Sequence, residues 1–193
     1  MQTELFGQQL EEKMEQLLHS AKAQVFKLEL LDSYSDAFDD ERHELNYYAS
    51  NGEEISGNRL YNSNGAWYST IKKLTESKVK FMRLHVVTQP LTQYLRFEIE
   101  SYKISQKMGE EIFFLDRNVY ESMKKRTRLE MKDFMIFDYD NILFNNFEAG
   151  EDNCAKRFDG CTLIEDNKVV KEYSQFYRLL LNRAVAMNEF LGI

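Results

Sequence analysis

Residues 78–100, KVKFMRLHVVTQPLTQYLRFEIE, decide the fold. In 80–87, Met82, Leu84 and Val86 share one face and Arg83 and His85 the other, the period of a β-strand. From Leu91 the period changes. Leu91, Tyr94, Leu95, Ile99 and Tyr102 recur at helical spacing, and Gly109 offers a left-handed stop. Pro90, the only proline, is suited to the first turn of that helix after Thr88. A strand that runs straight into a helix is the unit of a sheet covered by helices.

Working outward, helical spacing of Leu10, Met14, Leu17 and Leu18 predicts an N-terminal helix within residues 1–21. AQVFKLELLDSY follows as a half-buried strand, with Lys27 and Glu29 on its outer face. A short helix is expected over 38–49, an irregular loop to residue 64, and a helix over 66–77. Glu111–Leu115 reads as a strand, and 118–132 as a basic connector with some helix. DFMIFD and ILFNNF form a hairpin turning at Tyr139–Asn141. A loop over 148–158 and a short strand at Gly160–Ile164 come next. A closing helix, 167–191, is capped by Asp166. The expectation is a mixed α/β (α+β) fold, with a mixed sheet of about six strands covered by helices. With no repeat and no Pro- or Gly-rich linker, residues 1–193 read as a single domain.

The chain of 193 residues carries 43% apolar residues and 13% aromatics, enough for a substantial core. No apolar run reaches the roughly 18 residues of a membrane span. The polar, acidic N-terminus is neither a signal nor a transit peptide, so a cytoplasmic location with free thiols at Cys154 and Cys161 is expected. The net charge of −7 argues against direct nucleic-acid binding. The charge is unevenly spread: −8 over residues 1–64, +6 over 65–132 and −5 over 133–193.

Most catalytic motifs are missing: no phosphate-cradling glycine loop, no GxSxG elbow, no zinc spacing, and only His19, His43 and His85. No cofactor and no metal is expected. Asp36, Asp39, Asp40 and Glu41 read as a solvated acidic face, and Asp138 and Asp140 as turn residues. Lys124, Lys125, Arg126 and Arg128 form the densest basic run, either a solvated connector or a phosphate contact. The set that stands out as a candidate ligand site is Arg83, His85, Tyr94, Arg96, Glu98 and Glu110, with Asp138 added to it. An arginine on a central strand needs a buried carboxylate, and Glu98, on the same helix face as Tyr94, supplies one. The pair is either a structural ion pair or one wall of a pocket for a small anionic or polar ligand.

Trp67–Ile71, the segment 78–100, GEEIFFLDR (109–117) and DFMIFD (133–138) together resemble a bacterial family, domain of unknown function 6879. Trp67, Arg83, Pro90, Tyr94, Arg96, Glu98, Gly109, Glu110 and Asp138 match its pattern. The resemblance implies a regulatory or signalling accessory role, with a protein partner such as a helix-turn-helix regulator and no established activity. Separately, MKDFMIFDYDNILFNNF is similar to the HxKxxxxD region of phospholipase D-like enzymes, in which the His attacks phosphorus and the Lys and Asp support the site. Aligned on Asp138, Met131 stands at the His position and Asp133 at the Lys position. A thioether is no substitute for the imidazole, and a carboxylate repels phosphate.

The leading expectation is therefore a non-enzymatic cytosolic regulatory domain binding a protein partner or a small polar ligand. One alternative is an enzyme acting on a phosphorylated or nucleotide-like substrate. Another is an acidic immunity or antitoxin-type protein that presents the acidic stretch 32–54 to a basic partner.

Overall fold

The computed structural model describes residues 2–193. One sheet of eight strands runs through it, in the order β1-β7-β6-β5-β2-β3-β4-β8. In chain order the strands are β1 (Gln2–Leu5), β2 (Gln24–Glu29), β3 (Lys80–Val87), β4 (Glu111–Asp116), β5 (Phe134–Phe137), β6 (Asn141–Ala149), β7 (Ala155–Ile164) and β8 (Val185–Ala186). The helices are α1 (Gly7–Ser20), α2 (Asp39–Ser50), α3 (Gly57–Glu76), α4 (Gln93–Lys107), α5 (Arg117–Lys124), α6 (Asn167–Leu181) and α7 (Met187–Leu191). Strands β2, β3 and β4 are parallel neighbours, and every other pairing is antiparallel. The mixed α/β architecture is the one expected.

The three central strands are buried on both faces because helices cover both. Phe26, Leu28, Met82, Leu84 and Val86 face α5 and α6, meeting Tyr120, Val170, Phe176 and Tyr177. The opposite face is divided. Val25, Phe81, Met135 and Phe137 pack with Leu17 and Leu18 of α1 and Ile71 and Leu74 of α3. Val87, Ile112 and Phe114 pack under α4, with Tyr94, Leu95 and Tyr102.

The sequence reading departs from the structure at several places, each with a physical cause. The sheet has eight strands rather than six because its two edges were missed. Residues 2–5 are strand, not the start of the N-terminal helix, and pair with β7. Gly160 permits this: its φ is +83°, and a Cβ there would lie 2.5 Å from the Leu5 carbonyl oxygen. The closing helix ends at Leu181, β8 pairs with β4, and α7 places Met187 under α4 instead of beneath α6. The expected loop before residue 64 is helical from Gly57, capped by Ser56 and kinked at Asn64. Helix α4 begins after Thr92, whose hydroxyl accepts from the Leu95 N–H, and not at Pro90. Strand β7 starts at Ala155, inside the expected loop. Strand β2 is buried on both faces, so Glu29 is interior.

Candidate functional site

Parallel strands end together, and the loops beyond their carboxyl ends converge on one edge of the sheet. Here Leu30 and Leu31 leave β2, Thr88 leaves β3, and Asp116 passes from β4 into α5, where its carboxylate caps the Asn118 and Val119 N–H groups. Strand β5 runs the other way, so its entry residue Asp133 reaches the same edge. The Asp133 carboxyl accepts from the Leu30 N–H at 3.0 Å and from the Tyr34 hydroxyl. The Asp133 carbonyl accepts from the Asn145 N–H of β6 at 2.8 Å.

These loops enclose a hollow of about 290 Å³. Arg117, Lys124 and Lys132 bring positive charge to its wall, Glu121 and Asp133 carboxyls, and Asn145, Asn146 and Asn153 amides. The Arg117 guanidinium is braced by strand-end acceptors. Its Nη2 donates to the Leu30 carbonyl and, at 3.1 Å, to the Val86 carbonyl, and lies 3.6 Å from Asp32. Asp32 is fixed in turn by the Thr88 N–H and hydroxyl and by Asn153. Two buried donors in this wall have no partner: Arg117 Nε and the Tyr120 hydroxyl. Burial raises Asp133 to about 7, against the Tyr34 hydrogen bond and with Glu29 adding to the rise. Its carboxyl is therefore half-protonated near neutrality. Met131, at the position aligned to the phospholipase D histidine, also lines the hollow.

The sequence-predicted residues lie mostly elsewhere. Arg83, His85, Glu98 and Glu110 meet beneath α4, on the face of the sheet between the two apolar clusters. Arg83 Nε donates to Glu110 at 2.8 Å, and Nη1 to Glu29 at 3.0 Å. Glu98 is 4.0 Å away, so it is a secondary partner; Glu29, read as outward-facing, is a primary one. Lys27 lies 2.6 Å from Glu29, and the Tyr102 hydroxyl donates to Glu29 at 2.8 Å. His85 is fully buried, with Nδ1 2.7 Å from the Tyr102 hydroxyl and Nε2 2.8 Å from the Leu31 carbonyl.

The charges in this cluster sort themselves. Burial disfavours a charged Glu29, but Arg83 and Lys27 outweigh it and hold the carboxyl well below its usual range. Burial opposes a charged Arg83 too, yet Glu110 and Glu29 drive its pKa well above the ordinary value. Burial lowers His85, with Glu29 and the Leu31 carbonyl opposing the shift. Burial, with Glu29 and Glu41 nearby, pushes Glu98 well above the carboxylate range. The polar atoms left without partners here are the carboxyl oxygens Glu98 Oε2 and Glu110 Oε2.

The remaining predicted residues are dispersed. Tyr94 adjoins the cluster through α2, donating to Glu41 at 2.6 Å. Glu41 therefore does not belong to a solvated acidic face, although Asp39 and Asp40 are exposed. Arg96 is at the surface, paired with Glu53 at 2.8 Å. Asp138 closes the far end of the sheet, accepting from the Lys22, Ala23 and Gln24 N–H groups at 2.7–2.8 Å. Lys124 lines the hollow, Arg126 and Arg128 line a second groove between α5 and α6, and Lys125 is exposed beside them. Among the described residues, no group of three or more His, Cys, Asp or Glu could hold a metal ion. No helix among them is long and apolar enough to cross a membrane.

Sequence reasoning missed Arg117 and the three asparagines. The available signal was positional: Arg117 immediately follows EIFFLD, at the carboxyl end of a parallel strand.

The model of the family described as "Domain of unknown function (DUF6879)" matches residues 12–192. The chain belongs to that family. No curated protein matches its sequence. Solved structures similar to this DUF6879 chain include TrmBL2, an archaeal chromatin protein with a novel mode of DNA binding. It has a TM-score of 0.50 and 15% identity, over 95% of this chain and 53% of TrmBL2. The chain thus spans about half the length of TrmBL2. NucT from Helicobacter pylori has a TM-score of 0.50 and 10% identity, covering 97% of this chain and 99% of its own. Nuc from Salmonella typhimurium, a phospholipase D family member, has a TM-score of 0.49 and 11% identity, covering 90% and 89%. At these identities the likeness concerns the fold.

Proposed function

We propose that this domain binds a small phosphorylated ligand, of phosphomonoester or nucleotide type, in the hollow at the carboxyl ends of β2, β3 and β4, and does not hydrolyse it. The observation that carries the reading is the pair of unpartnered buried donors, Arg117 Nε and the Tyr120 hydroxyl, in the wall of this hollow. A buried donor without an acceptor costs about 1–3 kcal/mol. An anion that fills the hollow supplies that acceptor, and an arginine held by backbone carbonyls meets it preorganised.

The absence of hydrolysis follows from the side chains present. If the phospholipase D-like alignment holds, Met131 and Asp133 occupy the positions of the nucleophile and its supporting cation, and both line this hollow. The Arg83 cluster, in this reading, is framework: its cations are fully engaged and His85 has no exposed surface. A regulatory accessory role, with a helix-turn-helix regulator as one possible partner class, fits a domain that senses such a ligand. It remains part of the proposal.

Calorimetric titration with AMP, adenosine and inorganic phosphate tests the reading. AMP and phosphate bind saturably and adenosine does not. Lys132→Glu, an exposed change, weakens AMP by about tenfold. Equal binding of AMP and adenosine, or binding indifferent to Lys132→Glu, overturns it.

A further inference from the structure

The second groove lies on the outer side of α5, between that helix and α6, and has a volume of about 1220 Å³. Its floor is apolar: Val119, Met123, Leu129, Phe176 and Leu179 line it. Leu179 is 56% exposed and Val119 39%, both unusual for large aliphatics on well-formed helices. Its rim is basic. Arg126, Arg128 and Arg183 stand around the floor, against one acidic residue, Glu172. Among the described residues, no carboxylate lies within 4.0 Å of any of these three arginines. The positive charge of the chain's middle third is thus not neutralised here by its acidic ends.

From this combination we infer that the groove between α5 and α6 is a docking surface for an acidic amphipathic helix of a partner protein. An apolar floor takes the leucine-type stripe of such a helix at i, i+3, i+4 and i+7. Three unpaired arginines complement carboxylates along its flanks. A nucleic-acid backbone would use the arginines and leave Leu179 and Val119 in water, so the protein helix is the occupant that accounts for both features. The inference is independent of the ligand hollow, which lies on the other side of α5.

Selection of helical peptides of about 15 residues from a displayed library, against the full chain, tests it. Two variants serve as counter-targets: Leu179→Glu, and Arg126→Glu with Arg128→Glu. All three residues are exposed, so both variants fold, as circular dichroism verifies. The expected result is enrichment of peptides with an apolar stripe opposite acidic residues, with affinity falling at least about tenfold on either variant. Enrichment of basic peptides, affinity unchanged by the variants, or no enrichment overturns the inference. So does saturable binding of a duplex DNA that the double arginine variant abolishes, in the absence of acidic peptides, which would assign the groove to nucleic acid. Concentration-dependent self-association lost in Leu179→Glu, without peptide enrichment, would assign it to a second copy of the chain.

Discussion

The molecule has two polar regions built around an arginine, and they differ in what is left over. Beneath α4, Arg83 is surrounded by more carboxyl oxygen than it can use, and the unpartnered atoms are the carboxyl oxygens Glu98 Oε2 and Glu110 Oε2. At the strand ends, Arg117 is braced by carbonyls, and the unpartnered atoms are donors, Arg117 Nε and the Tyr120 hydroxyl. The first region is closed by α4. The second opens into a hollow of about 290 Å³. A buried ion pair by itself is weak evidence of function, since either architecture or recognition accounts for it. Surplus donors beside open space are a more discriminating sign, because they specify the charge of what is missing.

The largest expected effect separates the two arginines by their role in folding. Arg83→Met leaves Glu110 buried without its cation and Glu29 with Lys27 alone. It should cost about 3–5 kcal/mol in chemical denaturation. Arg117→Gln loses hydrogen bonds to two strand-end carbonyls and should cost about 1–2 kcal/mol, while abolishing AMP binding. A loss in Arg117→Gln as large as that in Arg83→Met would break the contrast.

A smaller effect concerns pH. Asp133 has a folded-state pKa of about 7 against an ordinary value of 3.8. The protonated carboxyl is the form the fold prefers. Its contribution is fully present below pH 3.8 and is lost as pH rises through about 7. Glu98 shifts in the same direction. Glu29 is depressed, so its contribution is present above 4.5 and lost as pH falls below that value. Denaturation midpoints should therefore peak between these windows and decline toward pH 8. Asp133→Asn should remove roughly 4 kcal/mol of that decline. In the hollow, an ionised Asp133 repels an anion, so sulfate, which keeps its charge throughout, should bind more weakly as pH rises through 7. Equal sulfate affinity at pH 6 and pH 8 would remove Asp133 from the site.

The smallest effect on stability is also specific. Tyr120→Phe deletes a buried hydroxyl with no partner and relieves its desolvation cost, so stability should not fall and should rise by about 1 kcal/mol. AMP affinity should fall several-fold. A marked loss of stability would mean that the hydroxyl is already satisfied.

The contrast also explains what could be read from the sequence. Periodicity carried the central strands and most helices, because Met82, Leu84 and Val86 or Leu17 and Leu18 need only a covered face. The edges escaped because pairing there is decided by distant chain. QTEL looks like a helix start until Gly160 makes room for it against β7, and Val185–Ala186 is too short to carry a pattern. Arg83 and Glu98 were read as interior, which they are, yet Glu29 was read as exposed. Alternation indicates which residues share a face but not whether that face is covered. Arg117 and Asp133 are remote in sequence, and the motifs that contain them do not mark them as neighbours. They meet because antiparallel β5 returns its entry residue to the edge where the parallel strands finish.

The central claim is that recognition resides at the strand ends and not in the polar interior. It is tested most directly by following the arginine Nε–H resonances of the labelled protein during titration with inorganic phosphate. The account predicts a saturable shift of the Arg117 Nε–H while the Arg83 Nε–H stays in place. Movement of Arg83 with Arg117 unchanged would contradict it.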